Sequence, residues 1–587
     1  MRWLWLALAA CTPKGEPEPA GPLGDGLANP FPQSGQVVDG RLALTDLPTA
    51  DADTPLPVAS LSYRAGFSPG QVAVLRLPGL DGSRLPGPDA VDRDGASVLM
   101  IDLDRGVPLP CMAELDAAAE TDPALLVRPL TALPEAEIAV VVTTDVVARP
   151  AGFAVDGEVT GPLLDRLAEL GIASENVAVA WSFPVRDGTA PLRSAIAQAE
   201  VLGPPSLVED EAGRERTLTW RAFEGTFPVV DFVGEAGLLD VADDGTVRPQ
   251  GEADAALFVH VPASVADADP GTVPVMVFGH GIFSSPTLYL AQTTDGDGVR
   301  ALADELGAIV VATPWRGLTT SDLSVPLAAA DDFGQFPRIP NLLVQAHVNV
   351  RTLIAGLREG SFARDAAFLG RDGQSLPDPE RIRYYGISLG AIEGAVMLAL
   401  DPGLDATAFH VGGGMWSTML ERSSNWSLLE AGLEQQIRDP GDRQVLYATT
   451  QLWWDPVDPI AYAETLATES FLYQLSIGDE QVPNVVSVAL ARALGLPVAE
   501  PAPFVAEGLE PVATPAAAPA RALVWFDPEE PLPPQANRPA PTTGAHTAPR
   551  LWDGARRQVV DYLDPSDPER LVHYCGPDPC TASNATP

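Results

Sequence analysis

Gly386-Ile387-Ser388-Leu389-Gly390 sets a hydroxyl between two glycines, one two positions before it and one two positions after. A serine presented for attack on a carbonyl sits on a sharp turn, and such a turn needs small residues where the chain crosses itself. The pentapeptide alone is weakly specific. Its setting adds specificity, because an apolar strand-like run precedes it and a helix-like run follows. Ser388 is therefore the candidate nucleophile. A serine needs a general base, and the base needs a carboxylate to orient it. Gly544-Ala545-His546-Thr547 offers His546 as the base, and Gly478-Asp479-Glu480-Gln481 offers Asp479, the carboxylate nearest a strand end. Glu480 and Asp458 are rivals for the acid. His573 is the rival base, although it lies beyond the last helix beside two cysteines. A developing oxyanion needs backbone N–H donors. Gly279-His280-Gly281-Ile282, after an early strand, supplies the Ile282 N–H, and Leu389 after the nucleophile supplies a second. His280 reads as a brace for that loop.

These residues need strands that end at one edge. After residue 255 the sequence alternates strand and helix. Candidate buried strands are 273–278, 308–313, 382–387, 407–411, 471–477 and 522–526, with helices expected at 298–306, 341–357, 389–400, 486–494 and 551–563. Such alternation predicts a mainly parallel sheet covered on both faces, with its site at the carboxyl ends of the strands. Residues 31–254 read as a β-rich region, an Ig-like sandwich with connecting helices, built from short apolar runs punctuated by Gly, Pro and Asp. The stretch 125–152 resembles a bacterial Ig-like strand pair. An insertion between the strands at 407–411 and 471–477 carries Trp416, Trp426, Trp453 and Trp454. It either caps the site and lines an apolar acyl pocket or packs as plain core.

The chain has 587 residues and a net charge of −43, with Lys14 its only lysine, so nucleic acid is excluded as a partner. Hydrophobic content of 46% excludes a disordered chain. The acidic balance disfavours a polyanionic substrate and favours a neutral ester or lipid. Residues 1–10 read as an export signal: Arg2, a short apolar run, then small residues. Leu8-Ala9-Ala10-Cys11 resembles the lipobox of bacterial lipoproteins, which implies cleavage before Cys11 and lipidation of its thiol. Residues 11–30, rich in Pro, Gly and Glu, are expected to be a flexible tether. That places the protein on the bacterial outer membrane or cell surface, held by a lipid anchor. Cys575 and Cys580 flank Gly-Pro-Asp-Pro and are expected to pair in an exported protein, with Cys111 buried and reduced. No His or Cys cluster has metal-site spacing, and Asp295-Gly296-Asp297-Gly298 reads as a turn or helix start, so no metal and no cofactor are expected.

Residues 255–565 resemble α/β-hydrolases, most closely bacterial extracellular lipases of the virulence-factor type. The resemblance rests on Val277-Phe278-Gly279-His280-Gly281-Ile282, on Tyr385-Gly386-Ile387-Ser388-Leu389-Gly390-Ala391-Ile392-Glu393-Gly394, on Asp455-Pro456-Val457-Asp458-Pro459-Ile460-Ala461-Tyr462 and on 478–484. It implies an α/β-hydrolase fold and a cell-surface carboxylic ester hydrolase, with Ser388, Asp479 and His546 in the chain order of that superfamily. Trp315-Arg316-Gly317 departs from the family, and the tail at 566–587 has no counterpart in it. Two other classes stay open: another acyl chemistry on the same fold (peptidase, polyester depolymerase or acyltransferase), and a non-catalytic surface protein.

Overall fold

The computed structural model describes residues 23–24, 27–45, 47–48, 56–89, 91, 95–291, 297–401, 403–516, 521–566 and 570–584. The export signal, Lys14 and Cys11 lie outside the described residues, as do Asp295 and Gly296.

Among the described residues, twelve strands share one sheet. In chain order they are β1 (Ser206–Glu209), β2 (Thr219–Asp231), β3 (Gly251–Pro262), β4 (Val273–Gly279), β5 (Ile309–Ala312), β6 (Pro377–Ile387), β7 (Ala406–His410), β8 (Leu472–Ser476), β9 (Val498–Glu500), β10 (Pro511–Ala513), β11 (Ala522–Asp527) and β12 (Cys580–Thr581). Their spatial order is β1-β2-β3-β5-β4-β6-β7-β8-β11-β9-β10, with β12 also on β11. The strands from β5 to β11 in that order pair in parallel. All six strands expected after residue 255 are present. They are readable because every residue of β4, β5, β7 and β8 is buried, so β4 and β5 appear as apolar runs, while β7 and β8 bury Thr407, His410, Gln474 and Ser476 among apolar residues.

Alternate residues of these strands feed two cores. Val275, Val277, Ile309, Val311 and Tyr384 pack on one face, beside the helices Arg338–Arg358 and Leu389–Leu400. Met276, Phe278, Val310, Tyr385 and Ile387 pack on the other, beside Asp297–Leu306 and Asp553–Leu563. This is the period-two alternation of a sheet covered on both sides.

Three boundaries change. Position 255 falls inside β3, and β1–β3 extend the large sheet through antiparallel pairing of β3 with β5. An antiparallel edge on a parallel sheet reads in sequence like the β-rich region before it, which is why the division fell there. At the other end β12 pairs with Phe526 and Asp527 of β11, so the segment after residue 565 also contributes to the sheet. The expected tether to residue 30 stops short: Leu23 is buried and its carbonyl accepts from Ala154 N–H at 3.0 Å.

Among the described residues, a two-stranded pair (Val37–Val38 with Arg41–Leu42) and two larger antiparallel sheets lie before β1. One has three strands, in the order Ala73–Arg76, Ala124–Pro129, Cys111–Leu115; the other has four, in the order Val107–Leu109, Val98–Asp102, Glu137–Thr143, Val177–Pro184. Cys575 and Cys580 form a disulfide, and Cys111 is a buried thiol. Among the described residues no helix is long and apolar enough to cross a membrane.

Candidate active site

Ser388 follows the last residue of β6 and precedes the helix Leu389–Leu400, with φ +57° and ψ −119°. A non-glycine residue held at positive φ costs of order 1–3 kcal/mol and persists only where its surroundings impose it. Here they do. Ser388 N–H donates to His410 O of β7 at 2.8 Å. A Cβ on Gly386 would stand 2.1 Å from Gly390 O, and one on Gly390 would stand 2.1 Å from Gly279 O. The crossing of β6, β4 and the helix start therefore admits only glycine at those positions, which is the requirement the pentapeptide encodes.

Asp479 and His546 meet directly. His546 Nδ1 lies 2.8 Å from both carboxylate oxygens of Asp479, and both side chains are buried. Asp479 Oδ1 also accepts from the N–H groups of Gln481 and Val482 at 2.9 and 2.8 Å, which fixes the carboxylate on the turn after β8. Glu480 takes a different role from the rival acid it resembled in sequence. It accepts from Thr543 Oγ1 at 3.1 Å and from the N–H groups of Gly544 and His546 at 3.2 and 3.0 Å, so it binds the backbone of the histidine loop. Ser476 Oγ adds a bond to Ala545 O at 2.6 Å. Asp458, the other rival, accepts from the N–H groups of Met415, Trp416 and Ile460 and from Gln451 Nε2. Burial pushes its carboxyl up to about 6. His573 lies 3.4 Å from Cys580 Sγ, beside the cystine.

Ser388 and His546 occupy loops at the carboxyl ends of β6 and β11, with β7 and β8 between. Among the described residues the Ser388 hydroxyl has no hydrogen-bond partner, so its link to His546 is not closed in this structure. Unliganded sites commonly hold this bond long and tighten it around substrate.

Among the described residues the N–H groups of Ile282 and Leu389 meet no protein acceptor. Both residues border the same cavity as Ser388. Gly281 keeps the approach open, since a Cβ there would lie 2.9 Å from Tyr289 Oη and 3.6 Å from Ser388 Cβ. His280 is buried, with Nδ1 2.8 Å from Gly281 O and Nε2 accepting Trp315 N–H at 2.9 Å. That pair of bonds needs a neutral ring protonated on Nδ1, and burial lowers its pKa to about 4. Behind the nucleophile helix, Glu393 and His347 meet at 2.8 Å, both fully buried. Burial raises Glu393 well above the carboxylate range and lowers His347 to about 3.

The cavity leaves about 50 Å³ for the centres of water-sized molecules and opens to solvent at its mouth. Phe336, Ile339, Ile392, Trp416, Met419, Trp426 and Trp454 line it, and among the described residues no charged side chain does. Trp416 stacks on Trp454 at 4.5 Å, and Phe336 meets Trp454 edge-on at 5.4 Å. Three of the four insertion tryptophans thus form the wall, while Trp453 turns away and donates to Ser60 Oγ at 3.0 Å. Sequence reasoning missed Phe336 and Ile339, which come from a segment before the expected helix. It also missed the polar rim of Asn425 and Gln481, joined at 3.1 Å. No pattern in the sequence marks them.

The structure is similar to several solved hydrolases. Acetyl xylan esterase 1 from Thermoanaerobacterium sp. JW/SL YS485 is 12% identical, over 58% of this chain and 87% of that one, with a TM-score of 0.35. An acetyl xylan esterase from Paenibacillus sp. R4 is 13% identical over 57% and 85%, with a TM-score of 0.33. A thermostable carboxylesterase from a metagenomic library is 12% identical over 65% and 95%, with a TM-score of 0.29. No family model matches the sequence, and no curated protein does.

Proposed function

We propose that the chain is a serine carboxylic ester hydrolase acting through an acyl-enzyme on a neutral ester or lipid. The observation that carries this is the Asp479–His546 pair, hydrogen-bonded on adjoining loops at the same sheet edge as a strained Ser388. In this reading His546 Nε2 takes the Ser388 proton as Oγ bonds to the ester carbonyl carbon. The carbonyl oxygen becomes an oxyanion held by the Ile282 and Leu389 N–H groups. As the tetrahedral centre collapses, the C–O bond to the leaving alkoxide breaks and His546 protonates that oxygen. Water, deprotonated by His546, then releases the acid and restores the Ser388 hydroxyl. Asp479 holds the imidazole in the tautomer with Nδ1 protonated and stabilises its cationic form. The uncharged cavity suits the alkyl part of an acyl group.

The export signal, cleavage before Cys11 and lipidation of its thiol belong to the same proposal. They place the enzyme on the bacterial outer membrane or cell surface, tethered through residues whose composition suits a linker. A panel of p-nitrophenyl esters of graded chain length, run beside peptide substrates, tests the activity. Ester cleavage that falls about 10⁴-fold or more in Ser388→Ala is expected. Peptide cleavage without ester cleavage, or an unchanged rate in Ser388→Ala, would overturn it.

A further inference from the structure

The cap around the cavity is tied to the two N-terminal sheets by groups that no surface flap would bury. Arg128, on the strand Ala124–Pro129, is 2% exposed. Its Nε donates to Glu114 Oε1 at 2.6 Å, Nη1 to Thr418 Oγ1 at 3.3 Å and Nη2 to Glu421. Thr418 and Glu421 flank Met419 and Leu420, whose side chains line the cavity. Glu421 Oε2 accepts in turn from Gln444 Nε2 at 2.9 Å, on the cap helix Pro440–Trp454, and from Asn537 Nδ2 at 3.1 Å. Arg422 donates to Glu114 and to the carbonyls of Gln535 and Ala536, both at 3.0 Å, on the run between β11 and His546.

A second tie is independent of the first. Arg64 is fully buried and donates to Asp455 Oδ2 at 2.7 Å and to Leu452 O at 3.1 Å, at the end of the same helix. Gln71 Nε2 reaches Ala448 O at 3.0 Å. The slot for Arg64 is shaped for it, because a Cβ on Gly188 would stand 1.8 Å from Nη1. The helix held this way carries Trp454, one half of the stacked pair in the cavity wall.

We propose that the N-terminal sheets fix the cap as a rigid wall of the acyl cavity, with Arg128 and Arg64 as positioning residues that set which acyl chains the site accepts. The proposal rests on the hydrolase reading for its substrate, but not for the rigidity of the cap. A charged pair removed from water resists opening, since separating the partners strands both charges in an apolar setting. The cavity is therefore pre-formed, and its depth is set before substrate arrives. Acetyl groups need little of it, while longer acyl groups need the whole wall. No lid has to open at a lipid surface.

Three measurements on the full-length protein test this. The ratio of octanoyl to acetyl kcat/KM should fall about 10-fold or more in Arg128→Gln, through KM for the octanoyl ester, and recover partly in Arg128→Lys. A folded Arg128→Gln enzyme with an unchanged ratio overturns the specificity role. In wild type, amides of residues 440–454 should exchange with deuterium as slowly as those of β6, and exchange as fast as in exposed loops overturns the fixed wall whether or not the variants fold. The rate should rise smoothly with ester concentration through the solubility limit, and a jump at that limit contradicts a fixed wall. Wild type that cleaves no ester defeats the hydrolase reading, while the exchange measurement still decides the cap.

Discussion

At the residue scale, neighbouring acids diverge in role because the turn after β8 points them apart. Asp479 faces the imidazole of His546, and Glu480 faces the backbone of the loop that carries it. Sequence could nominate both but not divide the work, since the division depends on the φ/ψ path of the chain between β8 and the helix that starts at Asn484. Glu480→Gln should therefore lower kcat about 10- to 100-fold, less than His546→Ala, because an amide holds the loop less firmly without removing the base. Steady-state kinetics beside circular dichroism checks this, and equal losses in the two variants would reassign Glu480. His280 gives a second prediction. Its ring is held neutral with a folded pKa of about 4, against 6.5 for an ordinary histidine. The unfolded chain takes up a proton as pH falls through 6.5 and the folded chain does not, so the stability this group supports is whole above that point and is lost toward pH 4. The difference in unfolding free energy between wild type and His280→Asn should shrink by up to about 3 kcal/mol from pH 7 to pH 4. Urea titrations at the two pH values measure it, and a gap independent of pH contradicts a neutral buried ring.

At the element scale, the strand–Ser388–helix crossing depends on backbone approach. Gly390→Ala would push a methyl to 2.1 Å from Gly279 O, a backbone atom with nowhere to move. A loss of about 3 kcal/mol in stability and about 100-fold or more in kcat is expected. A stable, fully active Gly390→Ala enzyme would mean the crossing is looser than its geometry. The same scale explains what the sequence revealed. β4, β5 and β11 were legible because parallel strands buried on both faces give apolar runs, and β6, β7 and β8 because apolar residues dominate their buried stretches. β2 and β3 were legible as strands but not as members of this sheet, since half-buried antiparallel strands carry no mark of which partner they join. The helix Leu389–Leu400 begins and ends where its apolar pattern does, whereas Arg338–Arg358 starts earlier than expected, before Pro340, which is tolerated in a first turn. The Cys575–Cys580 bond closes a short loop beside β12. Its reduction should cost about 2 kcal/mol of stability and leave kcat nearly intact, as thermal unfolding and kinetics with and without a dithiol reductant will show.

At the scale of the whole molecule, the N-terminal region packs as one unit with the candidate site, since its buried arginines Arg128 and Arg64 reach the cap and, through Arg422, Glu114 reaches the run before His546. Composition showed only that this region was β-rich. Its contacts span hundreds of residues, and nothing in a local pattern announces them. The proposed lipid anchor predicts that wild type partitions into detergent when expressed in a bacterium, and that Cys11→Ser is released as soluble protein; soluble wild type would rule the anchor out. Labelling the intact, purified protein with a serine-reactive fluorophosphonate and mapping the adduct by mass spectrometry tests the central claim most directly. One adduct on Ser388 is predicted, absent in Ser388→Ala and formed far more slowly in His546→Ala. An adduct on another residue, or labelling undiminished in Ser388→Ala, contradicts a nucleophile at Ser388 and with it the acyl-enzyme.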